Sequence, residues 1–181
     1  ERYGPGLTEA YKIDNDPRVA ARDILRIEEL LQRTSDEDRE GEFSASLHQP
    51  EGAAPGTWRF RLARIGQPIS LSQVLPVLEH LGVEVVDELP YDITVGGVGR
   101  VWIYDFGLGP LEASDLSPGR LKALFEDAFE ASWRDLGESD RFNALVVRAG
   151  LDWRQLTVLR AYAKYLRQTG STFTPDYLAD V

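Results

Sequence analysis

The sequence predicts an α+β fold: a ferredoxin-like antiparallel sheet with its helices on one face, a permuted strand order, and flanking helices at both ends. Three observations predict it. Phe43–Leu47 and Trp58–Ile65 alternate apolar and polar residues with the period of two of a half-buried strand. Ser70–Leu81 and Ser117–Leu136 repeat apolar residues at helical spacing. The core elements then run strand, strand, helix, strand, strand, helix. The last three strands with the two helices form a ferredoxin-like unit without its final strand. A hairpin from Phe43–Leu47 into Trp58–Ile65 supplies a strand in the vacant place, from the front of the chain instead of its end.

The first element is a helix. Asp16 reads as its cap and Pro17 as its first residue, because a carboxylate satisfies free amides and proline has no amide to leave unpaired. Val19, Ala20, Ile24, Ile27, Leu30 and Leu31 follow on one side to about Arg33, with Arg18, Arg22 and Arg26 facing away. Thr34–Glu42 is polar and acidic, an exposed linker. In the second strand Trp58, Phe60 and Leu62 alternate with Arg59 and Arg61, which are expected on a solvated face. Gln49–Thr57, rich in Gly, Ala and Pro, is the loop between the two strands.

In the next helix Ser70 and Gln73 have capping-box spacing, and Leu71, Val74, Leu75, Leu78 and Leu81 form the stripe. Pro76 is expected to bend it near its start. Val83–Val95 reads as a strand region broken by Pro90, Gly96–Gly99 as a turn, and Val101–Phe106 as a strand apolar on both faces, hence interior to a sheet or at an interface. Ser117 caps and Pro118 opens a helix whose face runs Leu121, Leu124, Phe125, Ala128, Phe129, Trp133 and Leu136. Further helices are expected near Asp140–Ala149 and Asp152–Gln168, the second with Trp153, Leu156, Leu159, Tyr162 and Leu166 on one side. Thr174-Pro175 reads as another helix start. The expected organisation is an N-terminal helix and acidic linker over residues 1–41, an α+β domain over 42–137 and the start of a helical region over 138–181.

Composition narrows the function. The 181 residues carry 30 acids against 20 bases, a net charge of −10, and such a surface repels phosphate backbones. No nucleic-acid partner is expected. The apolar runs are short and broken by charge, so no membrane is expected either. Cysteine is absent, which removes disulfides and thiolate chemistry and fits a reducing cytoplasm. Methionine is absent too, so the expectation is a segment excised from a longer polypeptide. His48 and His80, the histidines present, do not pair at metal-ligand spacing, and His80 is expected at the surface. Neither a phosphate-binding loop nor a dinucleotide fingerprint occurs: Gly97, Gly99 and Gly109 stand in the wrong context. No catalytic, metal or cofactor-binding residue is assigned, and the segment alone is expected to be inactive.

Two places are candidates for binding. The loop Gly66, Gln67, Pro68, Ile69 and Ser70 leads into a helix start, where a close backbone approach and free amides suit an effector carboxylate. Trp102 and Tyr104 supply apolar sheet surface for an interface with neighbouring domains or subunits.

Long phrases also resemble a family. Leu71–Gly82 (LSQVLPVLEHLG), continuing into Val83–Tyr91 (VEVVDELPY), resembles the large NAD-specific glutamate dehydrogenases of bacteria. So do Trp102–Leu108 (WIYDFGL), Arg141–Arg154 (RFNALVVRAGLDWR), Leu159–Arg167 (LRAYAKYLR), Glu9–Lys12 and Ala20–Ile24. The resemblance spans nearly the whole chain in order. It implies a parent that oxidises L-glutamate to 2-oxoglutarate and ammonium with NAD. It implies a regulatory, ACT-like segment ahead of the catalytic domain, an amino-acid effector, and contacts with other domains and subunits of a homo-oligomer. The family's catalytic and nucleotide-binding residues match no position here. The strand placed first instead of last departs from the usual ACT order.

Overall fold

The computed structural model describes residues 2–111 and 116–169. The helix start at Thr174-Pro175 lies outside them. The strands are β1 (Phe43–His48), β2 (Trp58–Ile65), β3 (Val85–Val95) and β4 (Gly99–Leu108). They form one antiparallel sheet in the order β1-β2-β4-β3. This is the permuted ferredoxin-like order: the leading hairpin puts β1 at the edge beside β2, and β4 lies inside. The central place of β4 explains why that strand is apolar on both faces. β3 runs unbroken through Pro90, against expectation. It is an edge strand, where a residue without an amide hydrogen is tolerated.

The helices are α1 (Glu9–Asp14), α2 (Pro17–Arg33), α3 (Leu71–His80), α4 (Pro118–Trp133), α5 (Leu145–Ala149) and α6 (Trp153–Gln168). Chain contacts group these elements into two units. One comprises α1, α2 and most of the sheet; the other comprises α3 to α6 with the strand ends.

In the first unit α2 starts and stops where its caps dictate. Asp16 Oδ1 accepts the Arg18 amide at 2.7 Å, Pro17 follows, and Arg33 is the last helical residue. Helix α1 was not anticipated; Thr8 caps it, and its Tyr11 is buried. Ile27, Leu30 and Leu31 of α2, with Tyr11, form one core with Ala63, Ile65, Tyr91, Ile93, Val95, Val101 and Ile103. These strand residues are one face of the sheet, alternate positions of β2, β3 and β4. Each fully buried Ile or Leu contributes about 1.5–3 kcal/mol.

In the second unit, Pro76 lies in the middle of α3, not near its start. Helix α4 ends at Trp133; Asp135 turns the chain with φ +55°, and Leu136, expected on the buried face, is exposed. Glu126 and Lys122 of α4 close part of the β1 edge: Glu126 Oε1 accepts the Leu47 amide at 2.7 Å, and Lys122 Nζ donates to the Leu47 carbonyl at 3.3 Å. Side chains thus take the place of a further strand, which guards an edge against pairing. α6 opens with a full capping box between Asp152 and Gln155.

Candidate functional site

The two sequence candidates lie in the same unit and touch. Gly66 has φ +89°, a conformation that favours glycine. Its amide donates to the Arg100 carbonyl at 2.9 Å, and its carbonyl accepts the Trp102 indole N–H at 3.0 Å. The Ile69 amide donates to the Tyr104 hydroxyl at 2.8 Å. Tyr104 is buried and Trp102 half-buried; their rings stack with centroids 6.4 Å apart. Burial pushes the Tyr104 phenol pKa up. Gly66, Ile69, Trp102 and Tyr104 are therefore brought together, while Gln67, Pro68 and Ser70 are exposed. Two of the loop's amides, those of Gly66 and Ile69, are engaged within the chain, and Pro68 has none to offer. A Cβ on Gly66 would stand 2.1 Å from the Glu40 carboxylate oxygens, so the chain's own carboxylate rests against this glycine.

A second cluster escaped the sequence reading and corrects it. Arg61, expected on a solvated face, is 4% exposed. Its Nη2 lies 2.8 Å from Asp23 Oδ2 and donates to Asn15 Oδ1 at 2.7 Å; its Nη1 lies 2.9 Å from Asp105 Oδ2. The Tyr11 hydroxyl donates to Asp23 Oδ2 at 2.6 Å, and Asn15 Nδ2 donates to the Tyr11 carbonyl at 2.9 Å. The Tyr11 ring meets that of Tyr91 edge-on at 5.2 Å. Burial raises the Asp23 carboxyl pKa above its ordinary value, against the pull of Arg61 and of the Tyr11 hydrogen bond. Burial, with the Asp23 charge next, raises Tyr11 likewise. The signals were present in the sequence: Asp23 stands four residues from Val19 and from Ile27 within the apolar stripe of α2, and Asp105 sits in the apolar run of β4. Arg26 is also not turned away to solvent, since its Nη2 donates to Ser46 Oγ at 2.7 Å. The cluster ties α1 and α2 to β2 and β4. All five of its side chains are buried, so it has no open face for a substrate.

The second unit has a buried arginine of its own, paired with a half-buried carboxylate. Arg160 of α6 is 4% exposed and donates to both Asp140 carboxylate oxygens at 2.9–3.0 Å. His80 lies within 3.0 Å of Ser139 Oγ and is half-buried. On α6 the buried residues are Leu156, Arg160 and Ala163. Leu159, Tyr162 and Leu166, grouped by the sequence with Leu156, instead face outward with Val158 and Tyr165. Of the surface clefts, one of about 640 Å³ is lined by Arg2, Leu7, Thr8, Asp92, Thr94 and Arg100. Its charges find partners within the chain: Arg2 bonds Glu28 and the Gly96 carbonyl, and Arg100 faces Asp92 at 3.7 Å. Among the described residues no group of His, Asp and Glu is placed to hold a metal, and no helix is long and apolar enough to cross a membrane.

A four-stranded antiparallel sheet of this order, flanked by helices, makes the chain an ACT-like α+β segment with helical extensions. Comparison with known proteins gives the family. Residues 42–120 match the glutamate dehydrogenase ACT3 domain, residues 1–30 its helical motif 2 and residues 137–181 its helical motif 3. The chain is 39% identical over 184 residues to the NAD-specific glutamate dehydrogenase of Mycobacterium tuberculosis, covering 99% of the chain and 11% of the relative. It is 32% identical over 178 residues to that of Halomonas elongata (98% and 10%) and 37% identical over 134 residues to that of Pseudomonas aeruginosa (74% and 8%). The chain belongs to the NAD-specific glutamate dehydrogenase family, and it spans about a tenth of the length of these curated relatives.

Proposed function

We propose that the chain is a non-catalytic assembly segment of an NAD-specific glutamate dehydrogenase, holding neighbouring parts of a longer polypeptide in place. The parent oxidises L-glutamate to 2-oxoglutarate and ammonium, with NAD bound outside this segment. The observation that carries the reading is α6. One side of it is buried, and the opposite side exposes Val158, Leu159, Tyr162, Tyr165 and Leu166. A helix apolar on both sides is one that gets covered on both. The loop at Gly66 supports the same reading, since the Gly66 amide and carbonyl and the Ile69 amide are turned inward to Arg100, Trp102 and Tyr104.

A second reading, amino-acid sensing at Gly66–Ser70, has one observation in its favour: the Glu40 carboxylate rests against Gly66, so a carboxylate fits there. A thermal-shift screen against the common amino acids separates the two. A ligand at about 100 times its Kd stabilises a fold by about 2.7 kcal/mol. The assembly reading expects no shift, with or without Glu40→Ala. A shift that Gly66→Val abolishes refutes it in favour of sensing. Glutamate-dependent NAD reduction by the chain alone refutes both.

A further inference from the structure

Helix α2 nearly repeats itself every four residues. Arg18, Arg22 and Arg26 stand four apart, and so do Val19, Asp23, Ile27 and Leu31. Sliding α2 along its axis by one turn, about 5.4 Å, puts Arg22 in the place of Arg26, which donates to Ser46 Oγ of β1. The same slide puts Val19 in the place of Asp23, and a slide the other way brings Ile27 there. Apolar contact alone separates such neighbouring registers poorly, because the ridges of a helix are rows of residues four apart. Asp23 breaks the repeat. It is 4% exposed, and its Oδ2 lies 2.8 Å from Arg61 Nη2 of β2. In a slipped register Asp23 is buried without its counter-charge, and Arg61 keeps only Asp105 of its two carboxylates. The Tyr11 hydroxyl, which donates to Asp23 Oδ2 at 2.6 Å, seats α1 from the same atom.

We propose that the Asp23–Arg61–Asp105 cluster is a register lock, which selects one of several apolar seatings of α2 on the sheet. An apolar set of similar volume at these three positions would hold the helix about as firmly, so stability alone does not account for three buried charges. One polar residue in an apolar helix seam is enough to fix a register. A one-turn step of one element past another is a discrete move that folds do make. The charges thus determine, in steps of about 5.4 Å, where the chain ahead of α2 stands on the sheet. The proposal goes beyond the assembly reading and rests only on contacts inside the first unit.

The chain has no cysteine, so two introduced ones take nitroxide labels and nothing else does. Leu25→Cys lies on the exposed side of α2, and Arg100→Cys at the exposed start of β4. The axis of α2 points toward this end of the sheet, since Glu28 shares Arg2 with the Gly96 carbonyl. A slip therefore changes the distance between the labels, which pulsed electron paramagnetic resonance reads. The otherwise unsubstituted chain should give one narrow distance. Arg61→Met, Asp23→Leu and Asp105→Leu together should keep the fold and add a second population about 5 Å away. Moving the carboxylate by one turn, Asp23→Ile with Ile27→Asp, should lengthen the main distance by about 5 Å, as α2 shifts to keep a carboxylate on Arg61. A single, unshifted distance in the triple variant overturns the proposal. So does an unshifted distance in a relocated variant that folds, because apolar contacts then set the register. If the relocated variant does not fold, the triple variant decides alone.

Discussion

Replacing Arg61 with Met tests the buried cluster directly. Arg61 holds Asp23 and Asp105 at 2.8 and 2.9 Å, and all three side chains are at most 8% exposed. Met fills much of the same space and keeps the hydrophobic stem, so the perturbation is chiefly electrical. It leaves two carboxylates facing one another in the interior, with Asn15 and the Tyr11 hydroxyl as neighbours. Removing one partner of a buried ion pair costs about 3–5 kcal/mol, because the remaining charge has lost both water and counter-charge. With a urea m-value of about 2 kcal/mol/M, the unfolding midpoint should fall by about 2 M. The loss should shrink as the pH is lowered, since the orphaned carboxylates then escape the penalty by taking up protons. The same experiment on Arg22→Met, at an exposed position of α2, should move stability by no more than about 0.5 kcal/mol. The triple change Arg61→Met, Asp23→Leu, Asp105→Leu should recover most of what the single change loses, because an apolar set of similar volume carries no desolvation penalty. Equal costs for Arg61→Met and Arg22→Met would refute the argument that the cluster fastens α1 and α2 to the sheet.

The other predictions concern single groups. Asp23 has a folded pKa above its ordinary value of about 4, so the folded state holds its proton more tightly than the unfolded chain. Its destabilising contribution is absent below that ordinary value and grows as pH rises through the folded pKa; Asp23→Asn should remove this slope from urea midpoints measured between pH 4 and 8. Gly66→Ala should cost about 1–2 kcal/mol for the left-handed backbone alone, and adding Glu40→Ala should restore little of it, because that side chain is exposed and can swing aside. Gly6→Ala places a Cβ 1.7 Å from the Thr94 carbonyl oxygen, a backbone atom that cannot rotate away, and should cost about 1–3 kcal/mol in thermal unfolding. Gly4→Ala, whose Cβ meets nothing within 4 Å, is its control.

How much of this was readable beforehand depended on whether the signal was local. Proline and a capping side chain act within one turn, so α2 and α4 begin where Asp16-Pro17 and Ser117-Pro118 put them. The sheet order followed because hairpins and element order leave few ways to join four strands. For Pro90 and for the outward face of α6, the deciding contact lay far away in the chain. Pro90 reads as a strand breaker until β3 is known to be an edge. Leu159, Tyr162 and Leu166 have the spacing of a helix face, but spacing does not say which face the rest of the chain covers. The candidate loop was legible as a place of close backbone approach. Its hydrogen bonds to Trp102 and Tyr104 were not, because these residues lie more than thirty positions away in the chain.

Arg61 shows where the alternation argument stops. Period-two patterning sorts residues of a strand into two faces, and it placed Arg61 on the face opposite Phe60 and Leu62. A charged residue on such a face is ordinarily solvated, and that inference needs the face to be open. Here the same face carries Ala63 and Ile65 on β2, with Val101 and Ile103 on β4, and α1 and α2 pack against it. A face that is half apolar already argues for a cover, and a cover over an arginine demands a carboxylate. Two were on offer in the sequence, Asp23 in a helical apolar stripe and Asp105 in an apolar strand. Each is costly to bury alone, and the three together remove most of that cost. A charged residue out of place in one element is therefore best read together with opposite charges out of place in others, since the fold that buries one must also bury its partner.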